Sequence, residues 1–442
     1  MGPATRTRGP AASVASPQNG PAPQSAHARP RPPASTVLRT ESRTSRIGPV
    51  KLHQLVLIEL ALGVLVIGAA LDRLMLVPAG VVAAVLVLVA LLRRHQMSIR
   101  DWLSTVLALR ARKGMAAHPL TERADPGLAP IVESLPNLRT YAFLDRDRRT
   151  VGMIGDGSFL TALVRVEAGT AALRPAMGSR ALPLGLLHDA LEVDGIVLES
   201  VQLVQHVQPA PATHLPEQAV ARRSYVPLQL QTGSPALRLT WVALKLDVEL
   251  CREAVEARGG GLEGAQRCLL RAADQLASRI TGSGFRASVL SEGDLVSAVA
   301  TSSCVNPLAT ARAGRPDAVP TRRTSETARS WRCDDRWHTT YAVGRWPKLG
   351  RAATPLPRLV SLLTAVPALT TTFSLTLAHG GRRTSAAVTG HVRVTGRTDT
   401  ELRAARGHLE QAARGAKVGL MRLDREQVPG LLASLPLGGA RR

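Results

Sequence analysis

Leu237–Leu246, LRLTWVALKL, is apolar with large side chains near its centre, which is the signature of a buried strand. It runs into a short helical segment, Val248–Ala257, and then the glycine turn Gly259–Gly261. The next helix is predicted over Leu262–Ile280, where Leu262, Ala265, Leu269, Ala273, Leu276 and Ile280 form one apolar stripe. Phe285–Leu290 reads as a strand again, and Ser291 with Asp294 forms a capping box for the helix that follows. Strand, amphipathic helix and strand in this loose alternation predict an α+β, or mixed α/β, domain.

Upstream, Thr140–Asp145 and Thr150–Glu167 alternate like hairpin strands around a polar turn at 145–149, and Ile196–Val207 reads as a further strand. Pro209, Pro211, Pro216 and Pro227 mark a loop after it. Downstream, Asn306–Arg329 carries three prolines among Thr, Ser and Arg, as an inter-lobe linker would. Beyond it, strands are expected near Thr339–Trp346, Thr371–Ala378, Ser385–Val394 and Gly419–Leu423. Helices are expected near Leu356–Val366, Thr400–Ala413 and Arg425–Leu435. No internal repeat is evident. The expected organisation is a tail (1–48), a hairpin (49–95), a cytoplasmic lobe (96–305), a linker (306–330) and a second lobe (331–442).

The hairpin rests on two apolar runs, QLVLIELALGVLVIGAAL at 54–71 and LMLVPAGVVAAVLVLVALL at 74–92. At helical rise they extend about 27 and 28 Å, enough for a hydrocarbon core of about 30 Å. Only Asp72 and Arg73 separate them, which forces an antiparallel pair of transmembrane helices. Arg39, Arg43, Arg46 and Lys51 precede the pair, and Arg93, Arg94 and Arg100 follow it. The positive-inside rule then places both ends in the cytoplasm of a multi-pass plasma-membrane protein. Residues 1–48 are rich in Pro, Ala, Ser and Arg with Glu41 the one acid, so they read as a disordered basic tail. Ser98–Arg112 should leave the membrane as a helix. Glu59 is the one ionisable residue well inside an apolar span, about 8 Å from its cytoplasmic end. It can snorkel, pair with Arg93 or Arg94, or meet another subunit.

The net charge of +23 invites a nucleic-acid reading. The basic residues are nearly all Arg, however, scattered along the chain, and aromatics make up only 3%, too few for stacking platforms. No nucleic-acid partner is expected. Cys251, Cys268, Cys304 and Cys333 lie far apart without a C-x-x-C pair, which fits reduced, packed thiols better than a zinc site or a disulfide framework.

Catalytic motifs are scarce. Gly259, Gly261 and Gly264 match the dinucleotide fingerprint in spacing, but a helix precedes them where a strand is required, so helix–turn–helix glycines are the better reading. Asp145-Arg146-Asp147 resembles the D-x-D with which glycosyltransferases hold a divalent metal. Arg146, Arg148 and Arg149 surround the pair, which favours charge pairing on an exposed turn. Cys333 and His338 lie close in sequence without a third orienting group. The expectation is therefore no catalytic, cofactor-binding or metal-binding residue, no cofactor and no small-molecule substrate.

The two-span anchor is followed by Trp241–Asp247 (WVALKLD), Arg258–Gly264 (RGGGLEG), Thr339–Pro347 (TTYAVGRWP) and Leu423–Gly439 (LDREQVPGLLASLPLGG). This order resembles EccE, the E component of the type VII (ESX) secretion membrane complex of actinobacteria, over roughly residues 50–439. The resemblance implies a non-ATPase subunit beside components B, C and D, with energy from the component C ATPase, and a cytosolic domain that scaffolds or stabilises the assembly. A membrane-tethered glycosyltransferase using Asp145 and Asp147 is the alternative.

Overall fold

The computed structural model of the chain describes residues 46–116 (except 48–49, 72–75, 92 and 95–96), 125–168, 181–209, 237–347, 355–380 and 386–439, with scattered positions between 218 and 227. The tail up to Ser45, the Asp72–Arg73 turn and most of the proline-rich stretch after Pro209 lie outside the described residues.

Helices α1 (Leu52–Leu71) and α2 (Leu76–Leu91) pack on each other with Ala61 and Ala83 buried between them. The described side chains of this pair are those of 59–70 and 77–84. Among the described residues no helix is long and apolar enough to cross a membrane. Helix α3 (Ile99–Ala116) follows. Arg112 ties it to the rest of the molecule, donating to both carboxylate oxygens of Glu326 at 2.8 and 3.0 Å and to the Arg425 carbonyl at 2.6 Å.

The chain continues with α4 (Ala129–Val132), β1 (Arg139–Leu144), β2 (Thr150–Gly155) and β3 (Phe159–Ala168). The run 150–167, expected as one strand, is thus two. Asp156 Oδ1 accepts the backbone N–H of Ser158 at 2.9 Å and Gly157 sits at φ 91°, a side-chain-mimicked turn that apolar alternation does not reveal. Next come α5 (Leu184–Asp189), β4 (Ser200–Gln208) and β5 (Leu237–Asp247). The strand expected from Ile196 starts instead at Ser200, because Ile196–Val197 turns back on Glu192–Val193 in a small ribbon. Then follow α6 (Arg252–Glu256), α7 (Gly261–Gly282), β6 (Phe285–Val289), α8 (Glu292–Ser302) and α9 (Pro307–Ala313). The remaining elements are β7 (Thr324–Glu326), β8 (Trp331–Cys333), β9 (Arg336–Arg345) and α10 (Leu356–Thr364). The chain closes with β10 (Thr370–His379), β11 (Ala386–Gly396), α11 (Asp399–Gly415), β12 (Gly419–Arg422) and α12 (Gln427–Ser434).

These strands form one antiparallel sheet of 12, in the order β7-β8-β9-β11-β10-β4-β5-β3-β2-β1, with β6 beside β3 and β12 beside β9. The sheet therefore runs through both of the lobes expected from the sequence. The segment 306–330 between them holds α9 and β7. Its proline after Asn306 starts a helix, with Asn306 Oδ1 accepting the Leu308 N–H at 2.9 Å. Glu133 accepts from the N–H groups of Arg323 and Thr324, each at 2.8 Å, and Arg323 pairs with Asp334, both nearly buried.

Although the residues show no repeat, the topology does. Each half runs through a strand pair (β2–β3, β8–β9), a helix (α5, α10), two strands (β4–β5, β10–β11), a long helix (α7, α11), a strand (β6, β12) and a short helix (α8, α12). Across the sheet each half reads with its later strand beside the hairpin strand: β6 joins β3 in β3-β5-β4, and β12 joins β9 in β9-β11-β10. The halves meet where β4 pairs antiparallel with β10, from Ser200↔Ala378 to Val207↔Thr371.

Both faces are covered, by α7 and α11 on one side and by α8 and α12 on the other. One face packs Val242, Leu244 and Leu246 of β5 and Val392 and Val394 of β11 under the long helices α7 and α11. The other places Trp241 and Ala243 with Leu295 and Val299 of α8 and Leu431 of α12. Gly264 lets α6 approach α7, since a Cβ there would stand 2.4 Å from the Val255 carbonyl oxygen, whereas at Gly407 on the exposed face of α11 a Cβ meets nothing within 4 Å. The two glycines should therefore respond oppositely to alanine. In denaturant unfolding, Gly264→Ala is expected to lose about 1–3 kcal/mol by overpacking, and Gly407→Ala to gain up to about 1 kcal/mol from helix propensity.

Candidate functional site: a buried polar seam at the centre of the sheet

Side chains on paired strands that stand directly opposite share a face, and one face of the central strands is polar. Gln202 lies opposite Thr376, His206 opposite Thr372, Arg393 opposite Thr372 and Thr340, and Thr395 opposite His338. All are buried, with His206, Arg393 and Thr395 at 0% exposure. Buried polar groups need partners, and α12 with Leu435–Gly439 supplies many of them. Gln202 donates to the Ala433 carbonyl at 2.8 Å and accepts the Gly438 N–H at 2.9 Å. Ser374 donates to the Ala433 carbonyl at 3.0 Å, Ser200 to the Gly438 carbonyl at 2.5 Å and Thr161 to the Leu437 carbonyl at 3.1 Å. Gln427 Oε1 accepts the Thr340 N–H at 3.0 Å. Gly438 and Gly439, at φ 92° and 88°, lie so close to Lys245 and Thr376 that a Cβ would come within 2.4 and 2.6 Å of them. Lys245 itself is buried, paired with Glu199 at 3.0 Å and resting 4.5 Å from the centre of the Phe159 ring.

At the other end of the seam Arg393 has no carboxylate partner among the described residues. Its Nη2 donates to the Ser302 carbonyl, at the C-terminal end of α8, and to Thr372 Oγ1 at 3.3 Å. Thr372 Oγ1 also lies 3.0 Å from His206 Nδ1, and Thr395 Oγ1 lies 3.0 Å from His338 Nδ1. Arg393 Nε and Nη1, Ser302 Oγ and the Nε2 atoms of both histidines have no partner among the described residues. Burial and the Arg393 charge push His206 down to about 3, and burial followed by Arg393 holds His338 well below its ordinary range. Both rings are therefore neutral in the folded protein at neutral pH.

The residues singled out from sequence fall elsewhere, apart from His338. Asp145 Oδ1 accepts the Arg146 N–H at 2.7 Å, and its carboxylate lies 3.7 Å from Arg149, which in turn holds Asp274 of α7 at 2.8 Å; Asp147 is exposed. Gly259, Gly260 and Gly261 carry positive φ through the turn between α6 and α7, and Gly264 serves helix packing. Cys333 and His338 are on the β8–β9 hairpin, where His338 faces Trp331 with ring centres 5.0 Å apart and Cys333 lies beside Arg336. Burial pushes the Cys333 thiol up, the opposite of activation. Glu59 is exposed on α1, and the side chains of Arg93 and Arg94 lie outside the described residues. Among the described residues no three His, Cys, Asp or Glu side chains are grouped to hold a metal.

Arg393 escaped the sequence reading for a physical reason. In His391-Val-Arg-Val-Thr395 polar and apolar residues alternate, the pattern of a strand with one wet face, yet here the polar face is covered. The two buried neutral histidines give acid sensitivity a sign. An unfolded chain binds protons to them below about pH 6.5 and the folded chain does not, so stability is full above 6.5 and falls as the pH drops toward 3. Melting of the full-length protein from pH 7.5 to 5 should show little change down to about pH 6.5 and below it a loss of about 1.4 kcal/mol per pH unit for each histidine, and His206→Gln should remove one of the two contributions.

No curated protein matches the chain. A solved structure of alkyldihydroxyacetonephosphate synthase is similar at 8% identity with a TM-score of 0.26, over 66% of this chain and 46% of that one. Residues 234–343 match the family model described as "Putative type VII ESX secretion system translocon, EccE". The matched segment runs from β5 through α7 and α8 to β9, crossing between the two halves of the sheet and taking in three of the four segments WVALKLD, RGGGLEG and TTYAVGRWP in whole or part. Over that segment the chain is similar to the EccE family.

Proposed function

We propose that the chain is a structural, non-catalytic subunit of a type VII (ESX) secretion membrane complex. The observation that carries this reading is the family match across β5–β9, which runs from the first half of the sheet into the second. In this reading the apolar runs 54–71 and 74–92 anchor the chain as a transmembrane hairpin with both termini cytoplasmic, and the domain after residue 96 scaffolds components B, C and D. Helix α3 supports the mechanical part. It is the first helix after the hairpin, and the Arg112–Glu326 pair fastens it to the second half of the sheet, where Glu326 also accepts the Val428 N–H at 3.0 Å. An anchor joined through such a clamp passes position to the domain rather than swinging on a free linker. Helices in lipid have little hydrophobic drive to associate, so the domain's larger surface carries the specific contacts and the hairpin raises effective concentration.

Full-length protein in mild detergent should co-purify with components B, C and D, and consistent failure to do so ends the proposal. Deleting 54–92 should weaken recovery, while deleting 96–442 should abolish it. Reporter fusions at residue 20 and after residue 110 should both read as internal. Purified protein should hydrolyse no ATP, and calorimetry should show no Mn²⁺ binding that Asp145→Ala removes.

A further inference from the structure

We propose that Arg393 Nε and Nη1, with the hydroxyl of Ser302, the residue whose carbonyl accepts from Arg393 Nη2, hold a small monovalent anion, of halide size, inside the folded domain. A guanidinium stays charged in proteins, and burying it without a counter-charge is costly. Arg393 is at 0% exposure, and no carboxylate pairs with it among the described residues. The C-terminal end of α8 offers the Ser302 carbonyl and a partial negative charge of about half a unit, which leaves the rest uncompensated.

The unmatched atoms are of the kind an anion needs. Thr372 Oγ1 accepts from Arg393 Nη2, so its own proton is free for His206 Nδ1. That fixes the proton of the neutral ring on Nε2, making it a donor without an acceptor. Arg393 Nε and Nη1 are donors only, and the hydroxyl of Ser302, whose carbonyl already holds Arg393, has no partner. Water would answer these hydrogen bonds but not the charge. Because Arg393 is fully enclosed, the ligand is of atomic size and cannot be a phosphorylated or acidic macromolecule reaching in from outside.

The test is the melting temperature of the full-length protein in detergent, at fixed pH and ionic strength, as gluconate is replaced by bromide. The expected result is a rise that saturates with bromide concentration, together with an anomalous bromide peak within hydrogen-bonding distance of Arg393 in crystals. Arg393→Met should abolish the rise. Should that variant fail to fold, Ser302→Ala, which keeps the guanidinium, decides by showing a weakened response. Identical melting in the two anions would overturn the proposal. So would a full response in Ser302→Ala, or a bromide response with no peak at Arg393, since either locates the ions on the surface.

Discussion

The antiparallel pairing of Ser200–Val207 with Thr371–Ala378 is the constraint on which the rest of the domain depends. It joins two halves of like topology into one sheet, and it lies under helices or strap on both faces. A seam so enclosed cannot leave its polar groups to water, and unpaired amides or hydroxyls there would cost stability. The C-terminal strap answers that demand for Ser200, Gln202 and Ser374. Arg393, Ser302, Thr376 and the two histidines are among the groups that the described residues leave unanswered.

The four segments that carry the family resemblance acquire separate physical reasons. In WVALKLD, Trp241–Leu246 bury on both faces and Lys245 packs its stem against Gly438. In RGGGLEG, Gly264 permits two helices to touch. In TTYAVGRWP, Thr340 bonds Gln427, and Trp346 fills the space in which a Cβ on Gly390 would come within 2.6 Å. In LPLGG, two glycines of positive φ lie flat on the seam. Three of these four are close-approach devices.

Most of the element sequence was legible because the amphipathic helices α7 and α11 and the apolar strands β5, β9 and β10 follow simple periods. The failures have distinct causes. The Asp156–Ser158 turn is made by a side chain, and Ile196–Val197 pairs with an adjacent ribbon, so neither interrupts the apolar pattern. The proline-bearing segment after Asn306 looked like a linker because proline at a helix start and proline in a loop are the same letter. The duplication was invisible because strand order is a property of pairing, and LRLTWVALKLD and AAVTGHVRVTG share almost no residues despite equivalent places. The polar seam was the hardest to read, since burial of an alternating strand's polar face depends on elements far away in the chain.

That distance has a consequence for biosynthesis. Gln202 emerges from the ribosome 236 residues before its partner Gly438. At translation rates of about 5–20 residues per second, the first half of the seam waits about 10–50 s with its polar face uncovered and with the edge of β4 lacking β10. An open strand edge is a template for wrong pairing. The nascent chain therefore passes through a window of vulnerability that the finished fold does not reveal, and protection during synthesis is a requirement of this architecture.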